Sequence, residues 1–326
     1  LTLTSENAAA ITCGKSSEVT ILVSNGTENS LSDTEQSNDD NYPENENAEN
    51  AVIKCKDGSL VTLCGDGELT ITANGKNGIK SGATTDEDGE ASLTIRDLTL
   101  NIDAPVNDAI NAEQLLNVES GTLTIDAADD AIHCDLVLNI GADGTDGPTI
   151  DITNCCEGLE GAELNVCSGD ITINASDDCL NAANSDLTDY DFTMTISGGT
   201  IDACSSAGDG FDSNGDVIVW TANTADNEPL DADGTITVSG GTVLAAGGSS
   251  GMGMGGGFPG GGQKPDGEPP ESFDGQMPNG EKSELPDGEV PEMPGGERPT
   301  PPSGQGRPAD GNAPAGDSTS DTTPTA

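Results

Sequence analysis

Acidic and amide side chains recur at fixed places in a repeated segment of this sequence. Each copy of the segment closes on an apolar residue, called here the anchor, and the anchors are Ile53, Ile79, Ile110, Ile132, Leu159, Leu180 and Phe211. The positions two residues before the anchors, from Ile79 onward, are Asn77, Asp108, Asp130, Glu157, Asp178 and Asp209. The positions one residue after the same anchors are Lys80, Asn111, His133, Glu160, Asn181 and Asp212. Asp129 and Asp177 add a third column.

Carboxylates stacked in this way repel one another, and their pKa values rise unless cations neutralise them. The chain up to residue 256 has only six basic residues, so side chains alone do not balance the acids. Calcium accepts six to eight oxygen ligands, whereas zinc and copper favour sets richer in His. The pattern therefore predicts Ca2+, and the expected ligands are Asp108, Asp129, Asp130, Glu157, Glu160, Asp177, Asp178, Asp209 and Asp212. A solvated acidic edge is the alternative.

The element that positions these residues is a repeat of short strands. SGTLTIDAADDAIH from Ser120 recurs as SGDITINASDDCLN from Ser168, and the anchors are 26, 31, 22, 27, 21 and 31 residues apart. Each copy has apolar residues alternating at period two, such as Ile150 and Ile152, which is typical of strands with one buried face. We therefore predict an all-β fold, a parallel β-helix or solenoid in which like residues stack from coil to coil. A β-sandwich does not require one residue class at the same register in every unit.

A second row contains only small residues, two positions after each anchor. It contains Cys55, Ser81, Ala112, Cys134, Gly161, Ala182 and Ser213, and Cys13 stands in the same place after an earlier anchor, Ile11. This restriction predicts an inward turn where neighbouring coils crowd. Cys13 and Cys55 then lie on adjacent coils about 4.8 Å apart, where either a disulfide or two buried free thiols is compatible with the pattern.

Composition excludes several classes of partner. The formal net charge of -49 repels nucleic acid and anionic membranes. No run of 18 apolar residues is present, so we expect no membrane insertion. Aromatic residues are 2% of the chain, too few for an ordinary globular core. The absence of a leader at Leu1 suggests a mature or trimmed product, and we expect an extracellular or cell-surface monomer.

Two regions differ from the repeats. We assign residues 1–250 to the β-helix, interrupted by a polar insertion at about 24–50 that we expect to be a loop. Of the 18 prolines, 14 lie past Phe258, and residues 251–326 are rich in Gly, Pro and acids. That composition predicts a disordered C-terminal tail.

Several phrases resemble a known family. They are GELTITA from Gly67, SGTLTI with DDAIH from Ser120, GDGFDSNG from Gly208, and the stretch from Val19 to Asp33. The chain resembles the calcium-binding, right-handed β-helical carbohydrate-binding domains of bacterial cell-surface proteins, whose fold is similar to that of family 9 pectate lyases. The resemblance covers about residues 1 to 250 and implies non-catalytic, calcium-dependent binding of plant cell-wall polysaccharide, either cellulose or a pectin-like polymer.

Two enzymatic alternatives are weaker. A calcium-dependent lyase needs a Lys or Arg base, for which Lys80 is the best placed candidate. An inverting hydrolase needs separated carboxylates, but the pairs Asp129–Asp130 and Asp177–Asp178 recur from copy to copy as structural ion ligands would. His133 is the only histidine, and no Ser-His-Asp or Cys-His system has independent support in the sequence. We expect His133 to be a turn residue or an occasional ligand. A purely structural or adhesive solenoid is the remaining alternative.

Sugar contacts are hard to locate from sequence. Trp220, Tyr42 and Tyr190 are the few aromatics with a polar group, so stacking surfaces are scarce. Outward threonines are predicted at Thr70, Thr72, Thr122, Thr124, Thr193, Thr195, Thr235 and Thr237. Such rows could contact sugar, ice or only water, and Thr is a common strand residue in any case.

Overall fold

The computed structural model describes residues 1–85, 89–142, 144–219, 222–226, 230–238 and 243–247. Within these residues the chain is all-β, with parallel strand pairing throughout and a single three-residue 3-10 helix, Glu35–Ser37. Trp220 and the predicted tail 251–326 lie outside the described residues. No helix in the described part of the chain is long and apolar enough to cross a membrane.

Each coil contributes strands to three strips, a strip being a run of mutually paired strands. The first strip contains β2 (Ile11–Cys13), β5 (Ala51–Cys55), β8 (Asn77–Ser81), β11 (Ile110–Ala112), the start of β14 (Ile132–Ile140), the start of β16 (Leu159–Val166), β18 (Leu180–Ala182) and β21 (Phe211–Ser213). The second strip contains β3 (Glu18–Leu22), β6 (Leu60–Cys64), β9 (Ser92–Arg96), β12 (Leu115–Val118), the ends of β14 and β16, β19 (Thr193–Ile196), β22 (Asp216–Val219) and β24 (Ile236–Val238). Because β14 and β16 run through both strips, the first and second strips form one sheet.

The third strip is a separate parallel sheet. Its strands are β1 (Thr2–Thr4), β4 (Glu28–Ser32), β7 (Glu68–Thr72), β10 (Thr99–Ala104), β13 (Thr122–Ala127), β15 (Thr149–Cys155), β17 (Asp170–Ala175), β20 (Thr200–Ser205), β23 (Ala222–Asp226) and β25 (Val243–Gly247). Strands that return to the same strip once per coil are consistent with a β-helix or solenoid.

The anchors form one continuous ladder. Ile11 pairs with Ile53, which pairs with Ile79, and the pairing continues coil by coil to Leu180 and Phe211. The third strip has parallel ladders of its own, in which Leu69, Leu100, Leu123, Ile150, Ile171 and Ile201 stack in register. All of these third-strip residues are buried, and burying an aliphatic side chain contributes about 1.5–3 kcal/mol. Stacked aliphatic side chains therefore form the core, although the chain has few aromatic residues.

The small-residue row is also in register and buried, and it lies at the ends of first-strip strands, not in turns as predicted. Cys13 pairs with Cys55, and Cys55 with Ser81. Both cysteines are free thiols, hydrogen-bonded to each other. The position is inward and crowded, which explains why larger side chains do not occur there.

The predicted polar insertion at 24–50 is too long at its start. Residues Glu28–Ser32 form β4, which pairs with β1 and β7, so the irregular segment runs from 33 to 50. Strand β4 has a single buried apolar residue, Leu31, and its polar neighbours hide the alternating pattern of a strand. This segment, called the 33–50 loop below, replaces the turn between a third-strip strand and a first-strip strand.

Candidate functional site

The predicted acids lie in equivalent turns, each joining a third-strip strand to the next first-strip strand. Asp108 precedes β11, Asp130 precedes β14 and Glu157 precedes β16. The backbones of these turns are stacked, because Ala109 N donates to Asp130 O at 3.0 Å and Ala131 N donates to Glu157 O at 2.9 Å. The same pattern continues through Asp178 and Asp209. We call the turns that carry residues 105–110, 128–133, 156–160, 176–181 and 206–212 the acidic turn row.

Asp108 begins the acidic turn row and is only 4% exposed. Its carboxylate accepts hydrogen bonds from Asn111 Nδ2 at 2.7 Å and from Asp130 N at 3.3 Å. Burial, followed by the charge of Asp130, raises the pKa of Asp108 to about 6. Carboxylate oxygens of Asp108, Asp129 and Asp130 lie within 4.8 Å of one another, a separation compatible with a shared cation.

The centre of the row contains Glu157, Glu160 and Asn181. Burial and the nearby Glu160 carboxylate raise the pKa of Glu157 to about 8. Asn181 Nδ2 donates to Glu157 Oε2 at 3.0 Å. The Asn181 Oδ1 atom has no hydrogen-bond partner among the described residues, although Asn181 is only 7% exposed. An orphaned buried acceptor is costly, and an amide oxygen beside carboxylates is a ligand that calcium accepts.

The last described turns add a candidate ligand, Asp231, that the sequence did not predict. Asp209, Asp212 and Asp231 place carboxylate oxygens within 4.8 Å of one another. Burial, then the charges of Asp178 and Asp231, raise the pKa of Asp212 to about 6. Asp231 N donates to Phe211 O at 2.9 Å, so Asp231 continues the stack beyond the last anchor. Its position 20 residues after Phe211, close to the shortest repeat, was the available signal.

The structure does not bring every predicted ligand together. The three groups of acidic and histidine residues that fit one ion, among the described residues, are Asp108–Asp129–Asp130, Asp130–His133–Glu160 and Asp209–Asp212–Asp231. Asp178 accepts a hydrogen bond from Asp209 N at 2.6 Å. Glu157, Asp177 and Asp178 belong to none of these three groups, and Asp177 is exposed.

His133 lies at the centre of a carboxylate cluster. Its Nδ1 atom is 3.2 Å from Asp130 Oδ2 and also contacts Glu160 Oε2, while Nε2 is 3.0 Å from Asp135 Oδ1. Burial lowers the pKa of His133, but the three carboxylates together outweigh that effect and raise it above its usual value. His133 lies in β14, a strand of the first strip, at the end of one segment of the acidic turn row, and the prediction that it is a turn residue is wrong.

The amino-terminal end of the same stack has different chemistry. Asn77 is buried, its Oδ1 accepts from Asn107 Nδ2 at 2.7 Å, and its Nδ2 donates to Asn50 O at 3.1 Å. One residue after the anchors Ile53 and Ile79, Lys54 pairs in register with Lys80. Burial, and then the charge of Lys80, lowers the pKa of Lys54. We call the 33–50 loop together with residues 73–81 the amide end.

The 33–50 loop is fixed to this end by buried polar contacts. Asp33 Oδ1 accepts from Gly75 N at 3.0 Å, and Asp33 also accepts from the Ser37 hydroxyl. Asn38 Nδ2 donates to Gly75 O at 3.0 Å. A side chain at Gly75 would collide with Ser37, Asp33 and the Thr34 carbonyl, so glycine permits this close approach. The amide end therefore satisfies its buried polar groups with protein atoms.

The outward face of the third strip is polar and lacks exposed aromatic residues among those described. One row across it reads Thr70, Asn101, Thr124, Asp151, Thr172 and Asp202. The predicted threonines do not form one surface, because Thr193 and Thr195 belong to the second strip. Tyr190 is partly buried with its ring 5.3 Å from that of Phe192. This face offers hydroxyl, amide and carboxylate groups for hydrogen bonding.

A comparison with known protein families finds a match over part of the chain. A family model described as "Carbohydrate-binding domain-containing protein" matches residues 1–145. No curated protein and no solved structure matches the chain. The matched segment includes the amide end and the acidic turn row as far as Asp130 and His133. The match supports carbohydrate binding and suggests a non-catalytic role, without excluding enzymatic activity.

Proposed function

We propose that this chain is a non-catalytic, calcium-dependent carbohydrate-binding protein that acts outside the cell or at the cell surface. Its scaffold is proposed to be a right-handed parallel β-helix, and its ligand a plant cell-wall polysaccharide of the cellulose or pectin class. Calcium ions are held by the acidic turn row, and the polar outward faces of the coils provide the groups that contact sugar.

The orphaned Asn181 Oδ1 atom is the observation that carries the calcium proposal. It lies in register between Glu160 and Asp212, at a position where the neighbouring groups are acids. The neighbouring carboxylates Glu157 and Asp212 have raised pKa values because burial penalises their charged forms. A calcium ion would supply the missing partner of Asn181 and restore the charged forms of the acids. The residues present fit a hard cation with oxygen ligands.

The carbohydrate proposal is supported by the family match over residues 1–145 and by the exposed polar face of the third strip. Polymers with many hydroxyl groups can replace the water bound to such a face by hydrogen bonds. The dense negative charge disfavours free polyanions, but calcium held between the protein and uronate groups would allow a pectin-like polymer to bind.

Sedimentation with insoluble cellulose and with immobilised polygalacturonate tests this proposal. The protein should sediment with at least one polymer in calcium, should remain soluble in EGTA, and should bind again when calcium is restored. The variant Asp212→Asn should weaken binding, whereas Glu119→Gln, which removes one exposed charge away from the acidic turn row, should not. Failure to sediment with any polymer in calcium would contradict the carbohydrate proposal and leave a structural or adhesive role.

A lyase is the second candidate, favoured by the adjacent Lys54 and Lys80 side chains and the lowered pKa of Lys54. A lysine that loses its proton more readily can act as a general base. Incubation with polygalacturonate and calcium, monitored by the absorbance of unsaturated product, tests this activity. The binding proposal predicts no product, and product that disappears in Lys54→Met would establish the lyase.

A further inference from the structure

One position in the acidic turn row has an imidazole side chain where the neighbouring coils have an amide and a carboxylate. His133 pairs in register with Asn111 on one side and with Glu160 on the other. Its side chain is 20% exposed, while those of Asp130 and Glu160 are 15% and 14% exposed. The imidazole is therefore largely enclosed by carboxylates, and the two ring nitrogens have different partners.

The arrangement around the ring distinguishes the two nitrogens. Nε2 has one partner, Asp135 Oδ1 at 3.0 Å, whereas Nδ1 faces both Asp130 Oδ2 at 3.2 Å and Glu160 Oε2. In a neutral imidazole one nitrogen carries hydrogen and the other has a lone pair. If Nε2–H donates to Asp135, the Nδ1 lone pair of the neutral ring faces two carboxylate oxygens, and either a proton on Nδ1 or a metal ion between these groups removes that repulsion.

Histidine ligands of metals commonly donate their second ring N–H to a carboxylate, which fixes the tautomer and the orientation of the ring. Asp135 stands where that carboxylate is required. The ligand atoms of Asp130, His133 and Glu160 lie within 4.8 Å of one another, so one ion can contact all three. Two carboxylates and one imidazole, completed by water, form a set that zinc-like ions accept.

The chemistry of this group differs from that of the other two. Asp108–Asp129–Asp130 and Asp209–Asp212–Asp231 contain only oxygen ligands, which calcium prefers. Imidazole suits zinc and other divalent transition metals better. The scarcity of His over the whole row argued against zinc in general, but a single His with two carboxylates is sufficient for one local site.

We propose that Asp130, His133 and Glu160 bind a divalent transition-metal ion of the zinc class, and that Asp135 positions the imidazole. The inference deepens the proposed cation-binding function and rests on the same acidic turn row, but it does not require that calcium occupies the oxygen-only groups. Asp130 belongs to both adjacent groups, so a zinc-class ion here and a calcium ion beside Asp108 share one ligand residue.

Because the chain has one histidine, imidazole 15N signals report directly on this position. The full chain, labelled with 15N-histidine and freed of metals, is titrated with Zn2+ in the presence of saturating Ca2+. The Nδ1 signal should move to that of a metal-bound nitrogen, while Nε2 keeps its proton. If both nitrogens retain the signals of a charged imidazolium throughout the titration, His133 is a counter-ion for three acids and the proposal is overturned.

Two variants provide a second readout by calorimetry with Zn2+ alone. His133→Asn introduces the residue found at the neighbouring register position, Asn111, and should weaken Zn2+ binding at least about tenfold while calcium binding persists. Asp135→Asn should weaken Zn2+ binding by roughly 10-fold to 100-fold, as expected for loss of an outer-shell carboxylate. Equal Zn2+ affinity in wild type and His133→Asn would contradict the site.

These results are separable from those for the proposed function. Loss of the zinc response with intact calcium and polysaccharide binding would remove only the inference about His133. Loss of calcium binding with an intact Nδ1 shift would remove only the calcium proposal.

Discussion

The amide end and the acidic turn row occupy the same kind of turn, yet they stabilise their buried polar groups differently. At the amide end, Asn77 and Asp33 find partners in the 33–50 loop and in neighbouring coils. In the acidic turn row, Glu157 and Asp212 lie close to other acids, and Asn181 Oδ1 has no hydrogen-bond partner in the part of the chain that the structure describes. At the amide end, protein atoms pair with the buried polar groups. The acidic turn row has oxygen groups that a bound cation would pair.

Stacking alone therefore does not determine the chemistry of a repeated position. Both ends lie along the same ladder of anchors, in which each coil pairs in register with the next. The chemistry changes because the amide end has a long loop that supplies donors and acceptors, while the later turns are too short to do so. We therefore expect the two ends to respond differently to calcium, substitution and pH.

The largest expected effect is that of calcium removal. A ligand bound only by the folded state stabilises it by about 2.7 kcal/mol for each site when free calcium is 100 times Kd. For a domain of this size, each kcal/mol changes Tm by about 2–4 °C, so one site should raise Tm by about 5–10 °C. Thermal unfolding in calcium and in EGTA measures this difference. An unchanged midpoint would contradict calcium binding by the acidic turn row.

A pair of matched substitutions compares the two ends. Asn77→Asp removes the hydrogen bond to Asn50 O and leaves a buried carboxylate facing a carbonyl, so it should cost roughly 3 kcal/mol. That cost should be the same in calcium and in EGTA. Asn181→Asp should destabilise the protein in EGTA, because it loses the donor to Glu157, but should be neutral or stabilising in calcium. Chemical denaturation of both variants in both buffers measures the four values.

If Asn181→Asp behaved like Asn77→Asp in both buffers, the distinction between the two ends would be lost. The substitution Asn117→Asp provides a further control. Asn117 belongs to the second strip, outside the acidic turn row, and accepts from Asn139 Nδ2 at 2.9 Å. Any effect of Asn117→Asp should not depend on calcium.

The pH dependence of stability should differ with and without calcium. Burial raises the pKa of Asp108 and Asp212 to about 6 and that of Glu157 to about 8. Between the unfolded values near 4 and these folded values, the folded state binds more protons than the unfolded state. Stability in EGTA should therefore decrease as pH rises from about 4 to about 8.

Calcium binds the deprotonated carboxylates and should oppose this trend. The free energy of unfolding, measured with urea at pH 5 and pH 7.5, should fall with pH in EGTA and should be level or rise with pH in calcium. Parallel pH profiles in the two buffers would contradict cation binding by these acids.

The smallest expected effect concerns a surface contact of the amide end. Lys76 Nζ lies 2.5 Å from Asp40 Oδ2, but the Asp40 side chain is 67% exposed. Exposed ion pairs contribute about 0–1 kcal/mol. Lys76→Ala should therefore leave the free energy of unfolding almost unchanged, independently of calcium, because water screens this exposed pair. A loss of several kcal/mol in urea unfolding would show that charge pairing, not the buried contacts of Asp33 and Asn38, holds the 33–50 loop.

Much of this fold could be predicted because the spacing of the apolar residues indicates which strands pair and in which register. The alignment on Ile53, Ile79 and the later anchors is confirmed by direct strand pairing. Strand β4 escaped prediction because one buried residue, Leu31, lies among polar neighbours, and a short edge element with a single inward apolar side chain gives almost no periodic signal.

The candidate site was only partly predictable. The acids two residues before each anchor are stacked as expected, since short turns of similar length preserve register. Asp231 was missed because no anchor follows it in the alignment. The environment of His133 was missed because the contact with Asp135 depends on side-chain direction within β14, which sequence spacing does not specify. The polymer that binds and the occupancy of calcium remain predictions.

Amide hydrogen exchange with and without calcium tests the central claim most directly, because it reports on both ends of the stack in one experiment. At labelling times short enough for local opening, calcium should increase protection in peptides covering 105–110, 128–133, 156–160, 176–181 and 206–212. Protection over residues 33–50 and 73–81 should not change. An acidic turn row that exchanges at the same rate in calcium and in EGTA would contradict the account.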